Sequence, residues 1–390
     1  MANTFLTPTI IAKEAIGILM NNTIMSNFCT TDYQQEFTGT EKVGESVNVR
    51  IPPSYSINKY LATDTTVTDQ DITETNRSIM ITDHFDASVK VSARDWTLSF
   101  DRFSSAVIKP IMVAFAEQLD NSLINLYKEI PYSATTLGTV LTTHAHLAAL
   151  NKKASDEKWP NQGRKTLINT AQEASVLGAQ VLAAADTRGK TSLIDRAEIG
   201  TFYNMDWFTD QNLGTHTKGT AEATLSINGA VAAGVSTMIL ANAGNAKTLL
   251  RGDLFTVANA TSGYQGTILG TWNSSTEIYD DYTATGGGAI AGPVNFYPAA
   301  PASGFGNTEV VTVNNSHALN LAFVDQSAFA FVAPPLALPK TANVDSGYAS
   351  FGSWNLRVVS SYNRQKKSDE LSFDMLFGGK AIFPELAFRF

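Results

Sequence analysis

The residues best suited to chemistry are scattered through this 390-residue sequence, and none completes a motif. The segment Ala184 to Thr191 ends in Gly189-Lys190-Thr191, the close of a phosphate-binding loop. Ala184, however, stands where such a loop needs its first glycine, and the segment follows a helical pattern instead of a strand. A basic loop after a helix is expected there. His144 and His146 could set two imidazoles on one face of an extended segment. A metal would need a third ligand and a supporting shell, so a turn entering the next helix is the expectation. His84, His216 and His317 stand alone, and no Gly-x-Ser-x-Gly elbow occurs. Cys29, the one cysteine, has no nearby histidine or basic neighbour and reads as a packed thiol. The acidic run Asp64, Asp69, Asp71 and Glu74 lacks the central glycine and closing glutamate of a calcium loop and reads as a solvated tip. Arg251-Gly252-Asp253, before Leu254, Phe255 and Val257, reads as a turn opening a strand. No catalytic, cofactor-binding or metal-binding set is assigned, and the chain is expected not to be an enzyme.

Composition narrows the alternatives. With 44% hydrophobic residues the chain can bury one large core or two ordinary ones without a disulfide or metal staple. Only 16% of residues are charged, against roughly a quarter in ordinary soluble domains, and Thr, Ser, Asn and Ala take up the difference. Such a polar, weakly charged surface suits a protein buried in contacts with others. The net charge of -8 works against a dedicated nucleic-acid binder. Met1 to Pro8 lacks the pattern of a secretory signal, and no run approaches the ~18 apolar residues of a membrane span, so neither export nor a membrane is expected.

The elements follow from periodicity. Pro8, Ile10, Ile11, Ala15, Ile18 and Leu19 predict a short amphipathic helix. Val47, Val49 and Ile51 predict a strand closed by Pro52-Pro53, and a polar tip from Ser54 to Asn76 leads to renewed alternation at Ile79 and Ile81 and from Phe85 to Val91. Together these describe an extended hairpin, which as a two-stranded arm must lie on something else. Val107, Ile111, Phe115, Leu119, Leu123, Leu126 and Ile130 mark one helical face, and Pro110 divides it into a short helix over Ser99 to Val107 and a long one starting near Lys109. A helix over Leu147 to Trp159, a strand from Lys165 to Asn169, a helix from Ala171 to Ala185 and a strand from Phe202 to Phe208 make a mixed core. From about Thr220 to Asn315 the texture changes to short β runs broken by Gly and Asn: Leu225 to Ile227, Thr237 to Leu240, Leu254 to Val257, Thr267 to Leu269, Val294 to Tyr297 and Val310 to Val313. These predict a small inserted barrel or sandwich. Trp354 to Val358 and Leu371 to Phe377 predict a final hairpin.

In this order the segments resemble the coat proteins of scaffold-assembled short-tailed phages of the P-twenty-two type. Lys42 to Arg50 is similar to that family's approach to its extended loop, and Phe103 to Asp120, with Ile108-Lys109-Pro110, to its spine helix. Asn320 to Phe323 and Ala328 to Ala330 resemble the return from its inserted domain, and Leu371 to Phe390 its closing segment. The resemblance implies an α+β chain with the Hong Kong 97-like tailed-phage capsid fold. Its parts would be an N-terminal arm (1–46), an extended β-hairpin loop (47–96), a spine helix and peripheral domain (97–140) and an axial domain (141–219). An inserted β-barrel (220–315), a return to the axial domain (316–340) and a C-terminal hairpin with closing segment (341–390) would complete it.

The function so implied is a structural major capsid protein of the virion, made in the host cytoplasm and self-assembling into the icosahedral head. Its implied partners are further copies of itself in hexamers and pentamers, a scaffolding protein, a portal protein and packaged double-stranded DNA enclosed without sequence-specific binding. A decoration protein is a further candidate, and no cofactor is implied. In that fold the extended loop reaches over a neighbour, so Asp64, Asp69, Asp71 and Glu74 are expected to face basic residues there, with Arg94, Arg102 and Lys109 as candidates. Rim ion pairs contribute under ~1 kcal/mol each and would set register more than strength. Lys59, the one lysine near the tip, is not expected to form a covalent cross-link, because no catalytic carboxylate is identified for it. The rival readings are an encapsulin-like shell, a β-domain binding or adhesion module on a scaffold, and a hydrolase using carboxylates that the sequence does not pair.

Overall fold

The structure, a computed structural model, describes residues 8–34, 46–53, 55, 57, 59, 69, 71, 72, 74–92, 104–178, 199–221, 224–241, 248–258, 264–273, 278–283, 293–339, 344–363, 365 and 368–390. They form two units. The first draws on described residues up to Asn22, from Thr31 to Ala116 and from Ala330 to Ile382; the second draws on Thr23–Thr30, Glu117–Phe329 and Phe383–Phe390.

In the first unit, helical spacing of apolar residues produces α1, Pro8–Asn22, which buries Ile11, Ala12, Ala15, Ile16 and Leu19. Pro8 occupies its first position, where no helical hydrogen bond is lost. The helix packs on β21, Val344–Phe351, and β22, Trp354–Asn363. Gly347 permits that approach, since a Cβ there would lie 2.5 Å from the Thr9 backbone nitrogen. β22 runs antiparallel to β23, Ser368–Ala381, and β20, Phe329–Val332, also lies beside β23. The inward residues Leu356, Val358, Phe373, Met375 and Phe377 are buried, as their period of two requires.

β1, Ser46–Ile51, and β2, Thr75–Met80, form a hairpin with Val47 opposite Ile79 and Ile51 opposite Thr75. The sequence pattern carried this hairpin on through Phe85 to Val91, and there the structure differs. Those residues belong to β3, Asp83–Ser92, which pairs along its length with β23. The alternation is as read but the partner is distant. Phe85 gains the Phe377 ring at 4.7 Å, a burial that an isolated two-stranded arm would not give it.

A π-helical turn, Ser104–Ile108, leads into α2, Lys109–Ile124, which ends in a 3-10 turn, Asn125–Glu129. Residues 99–103 of the expected short helix lie outside the described residues. Pro110 is the second residue of α2, directly after the π-helical turn Ser104–Ile108. The buried face centres on Met112, Phe115, Ala116, Leu119 and Leu123, while Val107, Ile111 and Leu126 are only half-buried.

The second unit holds α3, His144–Asp156, and α4, Thr170–Gly178; the remainder of the helix expected to Ala185 is outside the described residues. Its sheet is ordered β24 (Ala387–Arg389), β19 (Leu321–Val324), β4 (Arg164–Ile168), β6 (Met205–Thr209), β5 (Thr201–Phe202), with β4 and β6 parallel. Leu147, Leu150, Trp159, Ile168, Trp207, Phe388 and Phe390 form its core. The single strand expected over Phe202 to Phe208 is instead the hairpin of β5 and β6. Its turn residues Tyr203 and Asn204 have φ of 50° and 60°, a left-handed pair that a tight hairpin turn demands and that asparagine, unlike tyrosine, adopts readily.

A second core lies within this unit. β8 (Thr224–Ile227), β9 (Thr237–Met238), β10 (Leu240–Ala241), β12 (Leu254–Val257), β13 (Gln265–Asn273), β16 (Val294–Tyr297) and β17 (Val310–Val313) pair antiparallel in the order β10-β8-β17-β12-β13-β16-β9. β9 and β10 are separated only by Ile239, so the path starts and ends on one stretch of chain and the sheet closes into a barrel. Leu225, Ile227, Phe255, Val257, Ile268, Phe296, Phe305, Val311 and Val313 fill it. β14, Ile278–Asp280, extends β13 as a hairpin, and β11, Thr248–Leu249, pairs with β15, Tyr282–Thr283. The chain passes into the barrel through β7, Thr215–His216, and out through β18, His317–Ala318, which pair with each other.

Candidate functional site

The outward hairpin of the first unit is a candidate contact surface. At its base Val47, Val49 and Ile79 are buried, and Arg77 Nη1 donates to the carbonyl of Ala381 at the end of β23 (3.4 Å). Several of the described residues between Ile51 and Thr75 are exposed. Tyr55 is 58% exposed, Ile57 98% and Ile72 71%, alongside exposed Asp69, Asp71 and Glu74. Solvent exposure of such large apolar side chains on an arm costs hydration free energy that a covering partner would recover. Sequence reasoning singled out the acids and passed over these three. Tyr55 and Ile57, spaced by two in a Thr- and Asp-rich stretch, were the available signal.

The structure places the named charges as follows. Glu74 stands 3.9 Å from Arg50 on the opposite strand of its own hairpin, with both side chains half or more exposed, so a basic partner is available within the chain. Lys109 is exposed at the start of α2. Asp64, Arg94 and Arg102 lie outside the described residues, as does the segment Ala184 to Thr191. Lys59 is exposed. His144 opens α3 with its Nδ1 2.7 Å from the Tyr203 hydroxyl. Asp253 of the Arg251-Gly252-Asp253 turn is buried, and Arg251 is paired with Glu129 at 2.7 Å.

A buried polar junction joins the barrel to the core of the second unit. Arg389, wholly buried, donates from Nη1 to the carbonyl of Gly252 (2.7 Å) and from Nη2 to that of Ile130 (2.9 Å), with its guanidinium 5.1 Å over the Tyr127 ring. Gly252 presents that carbonyl from φ 95°, a left-handed position that suits glycine. The Tyr127 hydroxyl lies 2.9 Å from His216 Nδ1, and His216 Nε2 donates to Asp253 Oδ1 (2.9 Å). Asp253 Oδ2 accepts the backbone amides of Leu250 (2.9 Å) and Gly219 (3.2 Å). Burial pushes Arg389 down to about 10, which leaves it cationic at neutral pH, and pushes His317 down to about 4, which leaves it neutral. Tyr127, His216, Asp253 and Arg389 have the types of a catalytic set, but each is under a tenth exposed, so they hold a joint and do not face a substrate.

Burial also raises Asp120 to about 7 and drives the Cys29 thiol well above its ordinary range. A cleft beside β5 and β6 is lined by Glu173, Thr201, Asp206 and Trp207. Asp206 there is held below the usual carboxylate range by Thr201 and by Lys165, 2.9 Å away, so its charge is committed to structure. Among the described residues no cluster of three or more His, Cys, Asp or Glu could hold a metal, and no helix is long and apolar enough to cross a membrane.

The mixed helix-and-sheet chain has a Hong Kong 97-like fold. A structure from Mycobacterium phage Che8 matches over 94% of this chain and 90% of its own, at TM-score 0.53 and 13% identity. The capsid structure of cyanophage P-SCSP1u matches over 94% and 87% (TM-score 0.49, 13% identity), and the asymmetric unit of the bacteriophage PhiM1 mature capsid over 94% and 86% (TM-score 0.49, 9% identity). No family model and no curated protein matches the sequence.

Proposed function

We propose that this chain is a structural major capsid protein, which assembles with copies of itself into the icosahedral head around phage double-stranded DNA. The observation that carries the reading is the extent of the fold likeness, which takes up 94% of the chain. The exposed apolar residues of the hairpin arm support it, since they need covering and a neighbouring copy supplies the cover.

The scaffold-assembled, short-tailed subgroup is the finer reading, supported by the barrel between β7 and β18. On it, a scaffolding protein and a portal protein are partners during assembly, a decoration protein is a further candidate on the finished shell, and the site of residence is the virion. The acidic tip would then meet basic residues of a neighbour, Lys109 among them, in competition with Arg50 of its own hairpin. Purified chain, alone and with a candidate scaffold, imaged by negative stain, tests the assignment. Closed shells support it; a uniform monomer or dimer under every assembly condition contradicts it.

A further inference from the structure

Where the chain enters and leaves the barrel, β7 and β18 pair with His216 directly opposite His317. We propose that this neck is a proton-sensitive hinge, in which acid turns the buried His317 imidazole into a second cation beside Arg389 and loosens the barrel from the core to which it is attached.

The two rings are 5.3 Å apart. His317 Nδ1 faces the carbonyl of Asn315 (3.0 Å) and so carries the proton, while its Nε2 is buried with no hydrogen-bond partner among the described residues. His216 donates from Nε2 to Asp253 and has the Tyr127 hydroxyl at its Nδ1. The groups facing His317 are His216 on β7, Arg389 on β24 and Asp253 in the turn before β12, with Tyr127 behind His216; farther out, Arg251 is occupied by Glu129. Asp253 is the one anion of this set, and it already accepts His216 and two backbone amides. A proton arriving at His317 Nε2 therefore makes a second buried cation beside Arg389, with no acceptor in place. A second buried cation without a counter-charge or acceptor destabilises the closed neck.

Burial first, and then the charge of Arg389, hold His317 down to about 4 in the closed neck. An opened neck exposes an ordinary imidazole that titrates near ~6.5, so opening takes up a proton. Neck stability is accordingly complete above about pH 6.5 and is lost progressively as the pH falls toward about 4.

Hydrogen-deuterium exchange of the full, unassembled chain between about pH 7.5 and about pH 4.5, corrected for the intrinsic rate, reads this directly. The reporter is the Leu319 amide, bonded to the Gly214 carbonyl at the neck; the controls are amides of β12 and β17 inside the barrel. Protection at Leu319 is expected to fall on the order of tenfold or more while the controls hold. In His317→Asn, whose amide can still donate to Asn315, that fall is expected to disappear. Three outcomes overturn the proposal: protection at the neck that does not depend on pH, loss at neck and barrel together, or a His317→Asn variant that responds as the unmodified chain does. If that variant does not fold, the histidine side-chain resonances of the unmodified chain decide. A His317 that protonates while Leu319 keeps its protection overturns the proposal, and one whose protonation coincides with the loss supports it.

Discussion

Asp120 on α2 accepts the backbone amide of Ile24 at 2.8 Å, tying the start of the short 3-10 turn Met25–Phe28 to the long helix. The carboxylate is almost wholly buried, and burial raises it to about 7. Its folded value lies above the unfolded one of 3.8, so the folded state binds the extra proton between the two. The cost of the buried charge is absent below about pH 4, grows as the pH rises, and is complete above about pH 7. Asp120→Asn keeps an acceptor for Ile24 and removes the charge. Urea unfolding should show the variant more stable at about pH 8, by a few kcal/mol at most, with the advantage gone at about pH 4. A variant less stable at pH 8 than the original would contradict the assignment.

Arg389 is the opposite case, a buried cation whose hydrogen bonds are needed. Arg389→Met should destabilise by ~3–5 kcal/mol, because the carbonyls of Gly252 and Ile130 lose their donors and Asp253 keeps its charge. Arg389→Lys should recover only part of this, since a single ammonium cannot span both carbonyls as the guanidinium fork does. Thermal unfolding of the three proteins at neutral pH checks the order.

Gly347 lies where α1 crosses β21. A Cβ at 2.5 Å from the Thr9 nitrogen forces the helix away, so Gly347→Ala should cost ~1–3 kcal/mol. Faster proteolysis within Pro8–Asn22 would show that the loss is local to α1. Unchanged stability and unchanged cleavage would mean that the helix seat is looser than described.

The hairpin arm should separate folding from assembly. Ile57→Asp and Ile72→Asp remove exposed apolar surface that the single chain does not use, so unfolding should shift by less than ~0.5 kcal/mol. Shell yield should fall sharply. Reversing Asp69 and Asp71 should act more weakly and only at low salt, as exposed ion pairs do.

Much of the architecture was legible because local pattern and final burial coincide. α1 and α2 follow from three- and four-residue spacing, β22 and β23 from alternation, and the barrel strands from short β runs between turns. The partner of β3 was not legible. Its alternation fits a hairpin and a sheet equally, and only the distant β23 decides. β21 was passed over because Gly347 and flanking polar residues weaken its pattern, and the turn at Tyr203 and Asn204 because neither residue is glycine.

The site divides the same way. Acidic residues of the tip could be read by composition alone, whereas exposed Tyr55, Ile57 and Ile72 look like core residues until their surroundings are known. The buried junction was beyond reach: His216 and Asp253 are 37 positions apart, and Arg389 and Gly252 are 137 apart. None of these stands out in sequence, and only the fold brings each to its partner.

On the proposed function, the chain builds a shell through its β1–β2 arm. Cryo-electron microscopy of the purified chain co-expressed with a scaffold tests it most directly, with Ile57→Asp alongside. The account predicts closed icosahedral particles in which the β1–β2 hairpin lies over an adjacent subunit, and folded, unassembled protein for the variant. Particles in which that hairpin touches no neighbour, or folded chain that never forms particles, would contradict it.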